Sequence, residues 1–413
     1  MRPFRPSRGA GLSGIRQCLA ALALAGAVPW AATPAHAFDD DVWRFSVSMG
    51  YQYDSNLFRL PDAYPIAALT GRSQRSDTSR LLSAMLSFDR QFRRQRLQAS
   101  ISVDDQRYRT YAMLDSTGYD AAIQWQLDYL TQSSARLAYR RDHSMLGFAD
   151  FRAALLNMVT SDTFSIDTAT QWQPRWSILA NLRRAAYRND TTQRRNADFD
   201  QADVEAGVRY TGATDSRWDL VWRHSEGDYP KQPNPLYDPS FRENAWQTRV
   251  LWGVPGATRV SGQFGWVDRR NTVLSQRSYR GAVWRIQADW LPSDKFALSA
   301  TYRNDLSSYL DLSSSHALMR GLSVRARWAA TDKTTLQLDV DWLDREFRGN
   351  PGLLAIESPG RRDRQRAVGL TLTQRPTSWL EWSLGLRREM RDSNVAFYDY
   401  DANVFFVTLA FRN

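Results

Sequence analysis

Apolar and polar side chains alternate along most of this 413-residue chain. From Trp43 to Tyr53 every odd position is apolar or aromatic, whereas every even position is polar or glycine. The same pattern returns at 97–104, 121–129, 282–290 and 336–342. Because successive side chains of a β-strand point to opposite faces, a period of two indicates strands with one apolar face and one polar face.

Eighteen segments of this kind can be counted, each of about ten residues, which is the length that a tilted strand needs to cross a bilayer. They begin near residues 43, 80, 95, 119, 134, 162, 176, 201, 217, 244, 258, 279, 296, 318, 334, 365, 379 and 402. The connections between them alternate between long and short, with turn chemistry such as Val-Pro-Gly and Leu-Pro-Ser-Asp in the short ones.

This alternation of connection lengths predicts an all-β fold, a transmembrane antiparallel up-and-down barrel of about 18 strands. Backbone groups can cross hydrocarbon as strands only if the sheet closes and leaves no edge. A barrel inserted from one side has short periplasmic turns and long extracellular loops. With an even number of strands, both chain termini lie on the periplasmic side.

The first 37 residues have the pattern of a secretory signal peptide. Four arginines precede an apolar run from Leu19 to Trp30, and Ala35-His36-Ala37 then provides a cleavage site. The alternative, a single anchoring helix, needs ~20 apolar residues. We therefore expect residues 1–37 to be cleaved, 38–413 to form the barrel, and the formal net charge of +10 to fall to +6 with the loss of those four arginines.

Tryptophans cluster beside the short turns. An indole has an apolar body and one N–H donor, so it favours the interface between membrane and water. The alternative is that these side chains fill a core. The predicted aromatic girdle consists of Trp172, Trp176, Trp218, Trp290, Trp328, Trp379 and Trp382.

The polar alternation places many charged side chains in the lumen, which eighteen strands make too wide for side chains to fill. Arginine suits carboxylates and phosphates, and charged rings set the selectivity of pores. The alternative is that acids and arginines only neutralise each other across strands. The lumen-lining candidates are Arg136, Arg183, Arg209, Arg223, Arg249, Arg285, Arg303, Arg325, Asp104, Asp128, Asp289 and Asp339.

The supply of reactive side chains argues against an enzyme. The single cysteine, Cys18, lies in the leader, and His143, His224 and His316 are far apart in sequence. No nucleophile elbow, phosphate-binding loop or zinc-spaced histidine pair is present. We therefore expect no catalysis, no metal and no cofactor. The arginine clusters form no continuous stripe, so we expect no binding of nucleic acid.

The segment Tyr51-Gln52-Tyr53-Asp54-Ser55-Asn56-Leu57-Phe58-Arg59-Leu60-Pro61-Asp62 resembles the opening of EpsL-type outer-membrane proteins of exopolysaccharide and exosortase loci. Its sharpest part is Tyr53, Asp54, Ser55, Asn56, Leu57 and Phe58. Membership of that family would imply a role in exporting an extracellular polysaccharide. An Asx-type turn at the strand end would by itself account for Asp54-Ser55-Asn56.

The sequence thus predicts an outer-membrane barrel that acts in exopolysaccharide export, surrounded by lipid and lipopolysaccharide, with a polysaccharide substrate and periplasmic export-complex proteins as partners. One alternative is a general or substrate-specific porin for small hydrophilic solutes. Another is a structural barrel that docks an export complex and has no open pore.

Overall fold

The computed structural model describes residues 42–130, 133–149, 151–212, 216–234, 238–254, 258–308, 314–350 and 360–413. It contains eighteen antiparallel strands in a single sheet. The strands are β1 (Trp43–Asp54), β2 (Asp77–Phe92), β3 (Gln95–Tyr108), β4 (Ser116–Leu130), β5 (Ser133–Met145), β6 (Met158–Gln173), β7 (Trp176–Asn189), β8 (Phe199–Thr211), β9 (Arg217–Asp228), β10 (Phe241–Val254), β11 (Thr258–Asn271), β12 (Tyr279–Ser293), β13 (Phe296–Ser308), β14 (His316–Ala329), β15 (Thr334–Arg348), β16 (Arg362–Gln374), β17 (Leu380–Ser393) and β18 (Tyr400–Arg412). The expected signal peptide, 1–37, lies outside the described residues.

The sheet closes on itself. Each strand pairs with the next strand in the chain, and β1 also pairs with β18. In this closing seam Val47 lies opposite Phe411, and the backbone amide of Phe45 donates to Oδ1 of Asn413 at 2.6 Å. The sheet has no free edge, as hydrocarbon requires. The predicted 18-stranded up-and-down barrel is confirmed.

The strands are 12 to 16 residues long, so the predicted length of about ten was too short. Their ends at the long loops carry charged pairs on the outer face, such as Arg107 with Asp105 at 2.6 Å and Arg388 with Asp401 at 2.5 Å. A search for apolar alternation ends where these charged side chains begin. The strands therefore continue above the apolar belt, into the layer where the outer-leaflet headgroups lie.

The outer face of the barrel between these ends is apolar. Ile123, Leu182 and Phe264 are each nearly half exposed, whereas Asn181, the chain neighbour of Leu182, points inward. The seven tryptophans predicted to form a girdle all lie on this outer face beside short turns, and Trp172 is the most exposed of them at 61%. A closed barrel with such a belt is built for lipid, so the protein resides in the outer membrane.

Helical structure is confined to the connections. In the described ranges it consists of one short α-helix at Ile66–Thr70, in the loop between β1 and β2, and of 3-10 turns, the longest of which is Thr192–Ala197 between β7 and β8. None of the helices described is long and apolar enough to cross a bilayer.

Candidate solute pathway through the lumen

The inner face of the barrel is polar and charged. On each strand it is the face opposite the exposed apolar side chains. The structure places all the proposed lumen-lining residues on this face, namely Arg136, Arg183, Arg209, Arg223, Arg249, Arg285, Arg303, Arg325, Asp104, Asp128, Asp289 and Asp339.

Many of these arginines are paired with acids on other strands, four of them on the adjacent strand and Arg249 with Glu205 two strands away. The pairs are Arg209 with Asp219, Arg223 with Glu243, Arg249 with Glu205, Arg285 with Asp305 and Arg325 with Asp339, at 2.5 to 2.7 Å. Cross-strand neutralisation, the alternative considered from the sequence, therefore describes these five arginines. Such pairs stabilise the register of the strands. Because the paired charges cancel, the net charge of the wall is set by the charged groups that remain.

Water reaches the inner wall towards the short-turn end. The side chain of Arg325 is 48% exposed and that of Arg96 is 47% exposed, although both point into the barrel. Met85 also faces inward, between Ser46 and Ser102 of the adjacent strands, and is 38% exposed. The periplasmic part of the lumen is thus an open vestibule.

The long-loop end is different, because loop L1 (residues 55–76) turns into the barrel. Nη1 of Arg59 lies 2.8 Å from both carboxylate oxygens of Asp54, and its Nε lies 3.2 Å from Oε2 of Glu389 on β17. The side chains of these three residues are at most 6% exposed. L1 is therefore fastened to the inner wall by a buried triad of charges.

Arg59 keeps its positive charge in this triad. Burial disfavours the charged form of Arg59, but the adjacent carboxylates Asp54 and Glu389 more than offset that effect, so the pKa of the guanidinium is raised above its usual value. Arg59 also has a φ of 54°, a left-handed conformation that costs a non-glycine residue energy. The surrounding contacts must supply that energy.

The turn that positions Arg59 is the Asx turn considered from the sequence. The backbone amide of Asn56 donates to Oδ1 of Asp54 at 2.9 Å, and Nδ2 of Asn56 donates to the carbonyl of Leu60 at 2.8 Å. The family-like motif thus has a local structural role: Tyr53 faces lipid, Asp54 accepts from Arg59, and Asn56 shapes the turn. Ser55 joins the turn to β18, because its Oγ accepts from the backbone amide of Asn403 at 2.8 Å. Leu57 and Phe58 are buried beyond it.

L1 is also held by an apolar cluster that spans three loops. Phe58 is fully buried, with ring centroids 4.8 Å from both Tyr111 and Phe148. Tyr111 belongs to the loop after β3, and Phe148 belongs to loop L3 (146–157) after β5. L1 is therefore a packed part of the extracellular mouth.

L3 extends this cover across the mouth. Arg152 donates to the carbonyls of Phe397 and Tyr398, in the loop between β17 and β18, and Nη1 of Arg391 donates to the carbonyl of Ala149 at 2.7 Å. L3 starts at β5, so these contacts bridge strands that are widely separated around the barrel. L3 therefore covers one side of the extracellular mouth.

The opposite side is narrowed by the upper end of the β13–β14 hairpin. Residues 316–319 are buried on both faces, whereas a strand that follows the barrel wall keeps its outer face exposed. Leu306 and Leu318 share an apolar cluster with the inward-facing Ala245 and Val267. Pairing of β13 with β12 ends at Asn304. The end of this hairpin therefore separates from β12 and bends inward over β10 and β11, while β14 stays paired with β15 as far as His316.

The upper wall also contains a second buried charge cluster, centred on Asp363. Three arginines surround this carboxylate: Arg361 at 2.5 Å, Arg345 at 3.4 Å and Arg391 at 3.6 Å. The guanidinium of Arg361 stacks 3.2 Å from the ring centroid of Tyr398. Sequence reasoning missed this cluster and the Arg59 triad, because their members come from loops or strand ends that alternation does not assign to a face.

The three histidines of the described ranges do not come together. His143 contacts Thr160 at 2.9 Å, His224 contacts Asn244 at 2.9 Å, and the ring of His316 lies against Ser315. In the described ranges no group of three His, Cys, Asp or Glu side chains is placed to hold a metal ion.

Solved structures share the architecture. The chain is similar to OccK2 (OpdF) of Pseudomonas aeruginosa, with 10% identity, a TM-score of 0.50 and coverage of 90% of this chain and 98% of that one. OprD from Pseudomonas aeruginosa matches with 9% identity, a TM-score of 0.46, and coverage of 90% and 94%. The siderophore receptor PirA from Pseudomonas aeruginosa matches with 9% identity, a TM-score of 0.42, and coverage of 90% and 80%. At such identities the likeness shows the fold alone. No protein-family model and no curated protein sequence matches the chain.

Proposed function

We propose that the protein is an outer-membrane channel for small hydrophilic solutes, with no chemistry of its own. The observation that carries this proposal is the half-exposed, charged inner wall below the narrowed mouth, shown by Arg96 and Arg325. The free-energy cost of placing charged side chains inside a barrel is low only if water reaches them. L1, L3 and the β13–β14 hairpin set the size limit at the extracellular end.

The experiment is conductance of the purified protein in planar bilayers, followed by swelling of proteoliposomes in a series of neutral sugars of increasing length. We expect discrete conductance steps and swelling that stops at small oligosaccharides. Protein-free membranes are the background control. The absence of conductance steps above that background would contradict the channel function and favour a structural barrel that docks other components.

Export of an extracellular polysaccharide is the second candidate, supported by the EpsL-like segment from Tyr53 to Phe58. A polymer chain would have to pass the mouth, so this function requires displacement of L1 from the Arg59 triad. Deleting the gene and measuring secreted polysaccharide tests it. Unchanged secretion, together with conductance that long glycans do not block, would leave only the small-solute channel.

A further inference from the structure

Charges of opposite sign face each other across the lumen. Strands β2–β5 lie nine positions away from β11–β14 in the closed order of eighteen, so the two groups form opposite walls. We refer to the inner faces of these strands as the acidic wall (β2–β5) and the basic wall (β11–β14). The acidic wall carries Asp77, Asp89, Asp104, Asp120, Asp128 and Asp142 against Arg96, Arg136 and Arg140, a net charge of −3.

The basic wall has the reverse balance. Its inward-facing charges are Arg259, Arg269, Arg285, Arg303, Arg325 and Arg327 against Asp289 and Asp305, a net charge of +4. Arg269 and Arg325 are paired with Glu243 and Asp339 on the flanking strands β10 and β15, and counting these two acids leaves +2. Both walls carry these groups from the periplasmic end upwards: Asp128 and Arg327 lie beside short turns, and Asp104 and Arg285 lie further along their strands. The separation of charge therefore extends along the vestibule.

Hydrogen bonding leaves much of this charge uncancelled. Asp104 accepts from Oγ of Ser83 at 2.5 Å, and Asp128 accepts from Nε2 of Gln126 at 3.2 Å, so their partners are neutral. On the basic wall, Arg259 and Arg327 form no ion pair with the described residues, and Arg259 is exposed. Each wall thus presents a net potential to the solute.

We propose that this transverse field selects zwitterionic solutes, small molecules that carry an ammonium group and a carboxylate on separate atoms. When such a solute lies across the lumen, its ammonium group is attracted by the acidic wall and its carboxylate by the basic wall. A singly charged solute is attracted by one wall and repelled by the other. A neutral solute has no net charge for either wall to attract. The proposal names the substrate class of the channel and rests on the proposed channel function.

The test compares two isomers of equal atomic composition, β-alanine, which is a zwitterion, and lactamide, which is neutral, by swelling of proteoliposomes at low ionic strength. We expect β-alanine to enter at least about threefold faster, a small part of the tenfold or greater effects that charged clefts exert on encounter. Because the Debye length falls from about 30 Å at 0.01 M to about 3 Å at 1 M salt, the preference should disappear at high salt.

Neutralising either wall should remove the preference. The variants are Asp104→Asn with Asp128→Asn for the acidic wall, and Arg259→Gln with Arg327→Gln for the basic wall. The matched control is Asp105→Asn, because Asp105 adjoins Asp104 but faces outward and pairs with Arg107. We expect both wall variants to bring the β-alanine to lactamide ratio close to 1 and the control to leave it unchanged.

The outcomes separate the two proposals. Equal entry of the two isomers in the wild type would overturn zwitterion selection and leave the channel function intact. The same conclusion would follow if the wall variants changed the reversal potential in a salt gradient but left the β-alanine to lactamide ratio unchanged. Absence of entry by either isomer would overturn the channel function itself, and the selection with it.

Discussion

Replacement of Arg59 by alanine should release L1 from the barrel wall. The substitution leaves Asp54 with no other cation among the described residues, and it leaves Glu389 with Arg387 alone, whose Nε lies 2.9 Å from Oε1 of Glu389. The side chains of Asp54 and Glu389 are at most 6% exposed, so solvent screening offers little relief. Removal of one member of a buried ion pair costs about 3–5 kcal/mol. At about 1.4 kcal/mol per factor of ten, that corresponds to a rise of roughly a hundredfold to a few thousandfold in the open form of the loop.

Amide hydrogen exchange measures this release directly. The amide of Leu57 donates to the carbonyl of Arg75 at 3.0 Å, and the amide of Tyr64 donates to that of Pro61 at 3.0 Å, so both are protected while L1 is closed. We expect exchange at these amides to accelerate by the factor above in Arg59→Ala, and the single-channel conductance to rise. Amides in the middle of the strands should keep their protection.

Two further variants test whether loss of the buried Arg59 guanidinium causes the release of L1. Arg388→Ala removes an arginine next to Glu389 that points outward and is 56% exposed, and an exposed ion pair contributes at most about 1 kcal/mol. Arg59→Gly removes the same guanidinium as Arg59→Ala but also relieves the left-handed φ, so it should be milder by about 1 kcal/mol. If Arg59→Ala exchanged no faster than Arg388→Ala, the triad would not be what holds L1.

Three other predictions concern the wall and the charge of the triad. Leu182→Arg on the lipid face of β7 should destabilise the barrel by about 2–4 kcal/mol, whereas Ser102→Arg on the lumen face of β3, beside Asp120 and the exposed Met85, should cost far less, as measured by denaturant unfolding in lipid vesicles. Gly227→Ala would bring a Cβ to 2.5 Å from a buried aromatic ring and should cost about 1–3 kcal/mol, whereas Gly253→Ala meets nothing within 4 Å and should be neutral or slightly stabilising; the temperature at which the folded band is lost on gels separates them. Because the pKa of Arg59 is raised above its unfolded value, the triad's contribution is fully present below that unfolded value, so proteolysis of L1 should be no faster at pH 10 than at pH 7 for a protease whose activity is matched at both.

The fold could be predicted from the sequence because the two environments of each strand, lipid and lumen, determine the alternation of its neighbouring residues. Trp43, Trp176 and Phe296 begin strands within a residue or two of where alternation places them, and so do most of the others. A strand between lipid and water must alternate in hydrophobicity, and no long-range information is needed to see it. Strand ends were less accurate, because side chains above the membrane meet water on both faces and carry no alternation.

The inner or outer placement of Arg209, Arg325 and Asp104 follows from the same parity. Their partners do not: Arg249 pairs with Glu205, two strands away in the sheet, which depends on the register and stagger of the closed barrel. The opposing signs of the acidic and basic walls also become visible only when the sheet closes and brings β2–β5 opposite β11–β14. Along the chain these strands are separated by more than a hundred residues.

The narrowed mouth depended entirely on tertiary structure. Nothing in the sequence around Arg59 assigns it to Glu389, 330 positions further on, and nothing in residues 316–319 distinguishes a strand in the wall from one bent over the lumen. A repeating environment along a strand is encoded in neighbouring residues, so composition and parity are enough to predict it. A loop that folds inward is stabilised by contacts with distant strands and other loops, and the identity of those partners exists only after the barrel has closed.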